Sequence, residues 1–241
     1  MEGEKMFSNP GEQIPPPPPQ ENSEAVQEER RKKLVKLFEK SMDAKGSIGY
    51  HGTSLEAIEY LIEHGYLPGR KFDNTGSNQN FVYFYPRKSA FPKNSKLTGD
   101  YIPDEKLIED TSTYSKSVAG AHYFMKAFGL DIADSEVEDR AGALLGSGEQ
   151  NWKPAEQYFL DKGIQKEKLY EVIELARKRK GVVLSLKKKI LKEHEVSRGD
   201  VEGEDVKIAV PEGLSLEMLA GLEPMGEQEF DYFEKLQEGK K

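Results

Sequence analysis

"GYHGTSLEAIEYLIEHGYLPG", residues 49–69, holds the transition that decides the fold. Leu55, Ile58, Leu61 and Ile62 recur at helical spacing, with Glu56, Glu59 and Glu63 mostly on the other side. An amphipathic helix therefore follows a short strand-like stretch. Thr53 and Glu56 match the T-x-x-E capping box, in which each side chain satisfies a free backbone N–H of the first turn. Gly65 suits the left-handed end of a helix, and Pro68-Gly69 then turns the chain. His51 is the residue that these folding rules leave unexplained. It stands between a strand end and a helix start, where backbone N–H groups point outward.

The 241 residues suffice for one substantial domain or two small ones. Hydrophobic residues make up 36% and charged residues 32%, a polar balance that leaves part of the chain outside a core. A formal charge of −8 argues against a dedicated nucleic-acid binder, although local basic patches still act. With no cysteine there is no disulfide framework, thiolate metal site or cysteine nucleophile. "MEGEKMFSNPGEQ" lacks the basic-then-apolar pattern of a signal peptide. No apolar run approaches the ~20 residues that span a bilayer. The expectation is a soluble, cytoplasmic protein with no membrane partner.

Residues 1–28 read as a disordered tail, polar and acidic, with five consecutive prolines from Pro15 to Pro19. Such a run is either a stiff spacer or a weak ligand for an aromatic groove. A charged helix is expected over 29–46, with Leu34, Leu37 and Phe38 on one side and Gly46 ending it. "SIGYHG" is a short strand, and "NFVYFYP" (80–86), β-branched and aromatic, is a buried one. From Pro86 to about Tyr114 the chain reads as loop, followed by a helix over 115–129 with small residues on one side. "RAGALLGSGEQNWKP" reads as a glycine-rich loop that matches neither a P-loop nor a dinucleotide fingerprint. Helices over 154–162 and 166–179 precede the strands "GVVLSL" and "EDVKIAVP". A turn-and-strand segment and a closing helix, "EQEFDYFEKLQ", complete the chain. This order gives an α+β fold with flanking helices rather than a doubly wound sheet. The main domain runs over 47–225, and 226–241 form a C-terminal helix and tail.

The four histidines, 51, 64, 122 and 194, are scattered, and Arg198 stands where a zincin motif starting at His194-Glu195 needs its second histidine. No metal is expected. No G-x-S-x-G elbow occurs either. What remains is three separated pieces at strand edges: Tyr50-His51-Gly52-Thr53, Val82-Tyr83-Phe84, and Glu202-Gly203-Glu204 ahead of Val206–Val210.

In this order the pieces resemble the ADP-ribosyltransferase superfamily, in the histidine–tyrosine–glutamate branch of diphtheria toxin and the poly-ADP-ribose polymerases. There "(W/Y)HGT" supplies a histidine, a "Y-F" strand a tyrosine, and a glutamate opens a late strand. "SKS" at 115–117, followed by Tyr123, resembles the family's serine and stacking tyrosine. "KSA" at 88–90 competes for the serine, so Ser89 and Ser117 are both candidates. The resemblance spans roughly residues 47–225 and implies a split β-sheet core and NAD as substrate. By this resemblance His51 binds the adenosine ribose, the Gly52 backbone grips the nicotinamide amide, Thr53 and Ser117 belong to the cofactor site, and Tyr83 and Tyr123 sandwich the nicotinamide ring. Glu204, with Glu202 as alternate, would stabilise the oxocarbenium-like state formed when the nicotinamide–ribose bond breaks. The spacing of Glu202 and Glu204 puts both on one face of an extended chain.

The reaction implied is mono-ADP-ribosylation of a macromolecule, protein or nucleic acid, with release of nicotinamide. The long stretch between Phe84 and Ser115 and the lack of a polymerase-type regulatory region count against chain elongation. An RNA 2′-phosphotransferase on the same fold normally draws on arginines beside the histidine, and none lies between His51 and Arg70. A module that binds ADP-ribose or a partner without catalysis is the remaining alternative.

Overall fold

Two strands that run side by side anchor the molecule: β1 (Ser47–Thr53) and β5 (Val182–Lys187). They pair antiparallel from Ser47 opposite Lys187 to Thr53 opposite Val182. In this computed structural model, residues 23–40, 46–67, 70–71, 80–87, 104–146, 149–194, 196–198, 206–209 and 213–239 are described.

The first helix is α1 (Glu24–Glu39), and α2 (Leu55–His64) follows β1. Two short strands, β2 (Tyr66–Leu67) and β3 (Arg70–Lys71), lead to β4 (Asn80–Pro86). Then come α3 (Asp104–Ala127), α4 (Ser135–Leu145), α5 (Glu149–Asp161) and α6 (Lys166–Ala176) ahead of β5. After β5 follow α7 (Ile190–Glu193), β6 (Val196–Arg198), β7 (Val206–Ala209), β8 (Leu214–Ser215), a 3₁₀ turn, β9 (Leu219–Pro224) and α8 (Glu227–Gln237). The main sheet runs β6-β7-β4-β1-β5-β9, with β3 added beside β4, while β2 and β8 pair separately. All these pairings are antiparallel. The architecture is the mixed α+β class expected.

Side-chain alternation along β5 divides the core. Val182, Leu184 and Leu186 join the main apolar cluster, which includes Leu34 and Leu37 of α1, Leu61 of α2, Phe124 of α3 and Phe233 of α8. Val183 faces the other way, into a smaller cluster with Tyr50 and Leu107. The long helix α3 thus starts over one face of the sheet and ends in the main core. The terminal helices α1 and α8 belong to that same core, with Phe38 stacked on Phe233 at 5.4 Å between ring centroids.

Several boundaries differ from the sequence reading. Helix α1 begins at Glu24, so residues 24–28 belong to it rather than to the tail, and residues 1–22 lie outside the described residues. Residues 104–114, read as loop, are the first half of α3, where Leu107 buries against Tyr50. Most of the segment read as a glycine-rich loop lies in α4 and α5; Val137, Ala141 and Leu144 bury one face of α4, and Gly142 sits inside it. Tertiary burial outweighs the helix-weakening effect of one glycine, worth about 1 kcal/mol.

The cap of α2 is also displaced by one residue. Ser54, not Thr53, is the N-cap, and its Oγ accepts from the Ala57 N–H at 2.9 Å. Glu56 turns inward instead of closing a capping box: it is buried, and its Oε1 accepts from Arg179 at 2.8 Å. Gly65 ends the helix with φ of 88°, as expected. Buried Arg30 of α1 donates to the carbonyls of Ile62 at 2.8 Å and Glu63 at 3.0 Å. This cation satisfies acceptors that the helix end leaves over and complements its dipole.

Because Glu56 neutralises a mostly buried arginine, Glu56→Ala leaves an uncompensated cation and is expected to cost ~3 kcal/mol. Glu63→Ala, at an exposed position on the same helix, is expected to change stability by less than about 0.5 kcal/mol. Urea unfolding of the two variants beside the wild type checks this, and equal losses would remove the ion pair from the account.

Candidate functional site

The His51 cleft forms where β1 and β4 part. These strands pair at Gly49–Pro86 and Tyr50–Tyr85. One residue further along β1, the His51 imidazole bonds sideways to the strand: its Nδ1 donates to the Tyr83 carbonyl at 2.7 Å. A neutral imidazole that donates from Nδ1 keeps its lone pair on Nε2. On the opposite edge of β4, Tyr83 lies opposite Lys207 and Phe84 opposite Val206 in β7.

Gly52 follows His51 and has a packing reason to lack a side chain. A Cβ there would stand 2.8 Å from the Thr111 carbonyl oxygen and 2.9 Å from Ser115, both on α3. The cleft behind this crossing is lined by His51, Gly52, Thr53 and Tyr83, and by Tyr114, Val118 and His122 along α3. The turn after α3 and the start of α4 close it with Ile132, Ser135 and Glu138. The cavity is about 60 Å³, room for about two waters.

Beneath this cleft lies a chain of polar groups that the sequence reading missed. The Ser54 Oγ, already the N-cap acceptor of α2, sits 2.8 Å from His122 Nδ1. The other ring nitrogen, Nε2, stands 3.8 Å from Glu138 Oε1. All three side chains are buried. A Ser54 hydroxyl that donates to Nδ1 puts the imidazole N–H on Nε2, facing the Glu138 carboxylate. Tyr114, Val118 and His122 are four residues apart in sequence, so they share one helix face. That spacing is the sequence signal for His122, because Val118 and His122 both fall in the helix expected over 115–129. Glu138 had no signal, because α4 was not foreseen.

The other candidates divide. Thr53 and Tyr83 line the cleft with His51 and Gly52. Ser117 is exposed on α3, while Ser115 is buried, its Oγ donating towards the carbonyls of Ser112 at 2.9 Å and Lys180 at 3.0 Å. Tyr123 lines a different groove, so Tyr83 and Tyr123 do not face one another across a single cavity. Ser89, Glu202 and Glu204 lie outside the described residues.

The second groove, about 490 Å³, runs between α2, α3 and α8. Arg179 is its centre: the guanidinium lies 4.7 Å from the Tyr123 ring centroid and donates to Glu56 and to Gln228 Oε1 at 2.5 Å. Lys126 pairs with Glu59 at its rim, and burial pushes the Tyr232 phenol upward. Its cations and carboxylates balance, so the groove has no net preference for an anion.

Among the described residues, no group of three or more His, Cys, Asp or Glu side chains is placed to hold a metal ion, and no helix is long and apolar enough to cross a membrane. Neither a family model, nor a curated protein, nor a solved structure gives a significant match to the chain.

Ser54→Ala removes both a helix cap and the hydroxyl beside a buried imidazole nitrogen. The cap is worth about 1 kcal/mol and the unpaired nitrogen about another 1 kcal/mol or more, so a loss near ~2 kcal/mol is expected. Glycine keeps the cap nearly intact, so in Ser54→Gly most of the remaining loss reports the imidazole contact. Thermal and urea unfolding of both variants measure the split; an undiminished Ser54→Gly would show that the contact adds nothing.

Proposed function

We propose that the protein is an NAD-dependent mono-ADP-ribosyltransferase with a split-sheet core of the ADP-ribosyltransferase type. One observation supports this most: the three strands that carry or adjoin the motifs lie side by side as β7-β4-β1. Residues far apart in sequence thereby converge, with β4 in the middle and the His51 imidazole bonded to the Tyr83 carbonyl. The parting of β1 from β4 opens the sheet at the histidine, where a substrate needs access.

In this reading the reaction breaks the bond between the nicotinamide nitrogen and C1′ of its ribose. The bonding pair leaves with the nicotinamide, and positive charge develops on the sugar. His51 orients the adenosine ribose and the Gly52-Thr53 backbone holds the carboxamide. Tyr83 supplies an aromatic wall. Glu204, two residues before β7 in sequence, supplies the negative charge that the oxocarbenium-like state requires. The acceptor is a macromolecule, and the reaction belongs to the cytoplasm.

Glu204→Gln keeps the size and hydrogen-bonding reach but removes the charge. Nicotinamide release is expected to fall at least about 100-fold, since such groups supply ~3 kcal/mol or more. NAD affinity should hardly change, because the cation exists only near the transition state. His51→Ala is expected to weaken NAD binding as well as turnover, and Glu202→Gln to spare NAD hydrolysis. Nicotinamide release and calorimetric NAD titration on the same preparations decide the matter. Wild-type activity in Glu204→Gln would overturn the role of that residue, and a wild-type protein that neither binds nor cleaves NAD would overturn the reading.

A further inference from the structure

The reaction just described leaves one proton unassigned. Water, or any hydroxyl acceptor, that attacks C1′ must lose a proton as its bond to carbon forms. Among the described residues that line the His51 cleft, Glu138 is the one carboxylate. It comes from α4, not from the motif strands, and is buried beside His122.

We propose that Glu138, buried beside the His122–Ser54 pair, is the general base that takes this proton; the inference rests on the NAD reading above. The polar chain suits that role. The Ser54 oxygen accepts from the Ala57 N–H, which leaves its own proton for His122 Nδ1. His122 Nε2 then carries the N–H and stands 3.8 Å from Glu138 Oε1, beyond direct hydrogen-bond range. The imidazole is the polar neighbour of the carboxylate and does not take its proton-accepting role. In the step itself, the C1′–N bond breaks and its electron pair leaves with neutral nicotinamide. An oxygen lone pair forms the new C1′–O bond, and the O–H proton passes to the Glu138 carboxylate. The cavity has room for a water as nucleophile at this position. His122 is a positioning residue in this scheme, since it acts through Glu138.

A nucleophile with no proton to lose separates this role from every other. Azide attacks C1′ as an anion and gives ADP-ribosyl azide without any base. The experiment follows NAD consumption in water and in added azide, with the products separated by chromatography, for wild type, Glu138→Gln and Glu138→Asp. Glu138→Gln is expected to lower hydrolysis about 100-fold or more while azide attack stays within a few-fold of wild type. Glu138→Asp keeps a carboxylate and should retain more hydrolysis than the amide. His122→Asn should reduce hydrolysis and leave azide attack nearly untouched. NAD affinity, measured by calorimetry, establishes that each variant compared is folded. Equal losses with water and azide in a variant that binds NAD normally would overturn the base role, because charge stabilisation or packing affects both nucleophiles. A wild type that cleaves NAD with neither nucleophile would instead overturn the NAD reading, and this inference with it.

Discussion

The site depends on how closely α3 approaches the ends of β1 and β5. The Thr111 carbonyl and Ser115 occupy the space where a Cβ of Gly52 would sit. Across the same junction Gly181 has φ of 83°, and a Cβ there would come within 2.7 Å of the Ser115 carbonyl oxygen. The Ser115 hydroxyl reaches on to the Lys180 carbonyl, so the helix is bonded to the strand entrance as well as packed on it. A side chain at either glycine would push α3 outward, and α3 carries Tyr114, Val118 and His122 into the cleft. The resemblance implies that a ligand comes close to the Gly52 backbone. The closest approach in the structure is made by the protein's own helix.

The elements that could be read from sequence were those whose local pattern and tertiary role agree. α2 and α8 have a helical period that matches the face they bury, and β1 and β5 are short apolar or small-residue runs buried along almost their whole length. The misread segments are those where local composition and final environment conflict. Residues 104–114 are polar and show no sustained period, because only Leu107, Thr111 and Ser115 of that turn-by-turn face become buried, and two of these are hydroxyl residues. Thr111 and Ser115 satisfy their hydroxyls on backbone carbonyls, Thr111 on Leu107 at 2.6 Å. No pattern of apolar residues announces such a face. His51 and Tyr83 were legible because a strand end and an aromatic strand are local features. The Ser54–His122–Glu138 chain was not, since it joins three helices through side chains 68 and 16 positions apart in sequence.

Charge is used inside the fold more than the composition suggested. Arg30 and Arg179 look like members of solvated basic runs, yet Arg30 ends α2 and Arg179 neutralises Glu56. Both tie α2 to a distant part of the chain, one to α1 and the other to the segment between α6 and β5. The helix that begins at the motif is therefore held at both ends by guanidinium groups and capped by Ser54. Arginine suits these places because its planar fork can donate in several directions at once.

The size of the cleft constrains any chemistry in it. A cavity of about 60 Å³ is well below the several hundred that a small-molecule site usually encloses. A ligand larger than two waters must lie partly outside it or displace a wall, and the walls differ in strength. The strand side is held by the β1–β5 ladder, six registered pairs long. The opposite side is the short connection from Leu130 to Asp134, held by local bonds such as Ala133 N–H to Asp131 Oδ1 at 2.9 Å and the Asp134 cap of α4. Opening that side breaks no strand ladder, and its main cost is drawing Ile132 out of the core. It also carries Ser135 and Glu138 at the start of α4, which couples access to the cleft with the position of its carboxylate. A ligand that requires an open form populated about one time in a hundred binds about 100-fold more weakly than to a preformed site. Affinity for such a ligand is then set by the α3–α4 connection as much as by the residues that touch it.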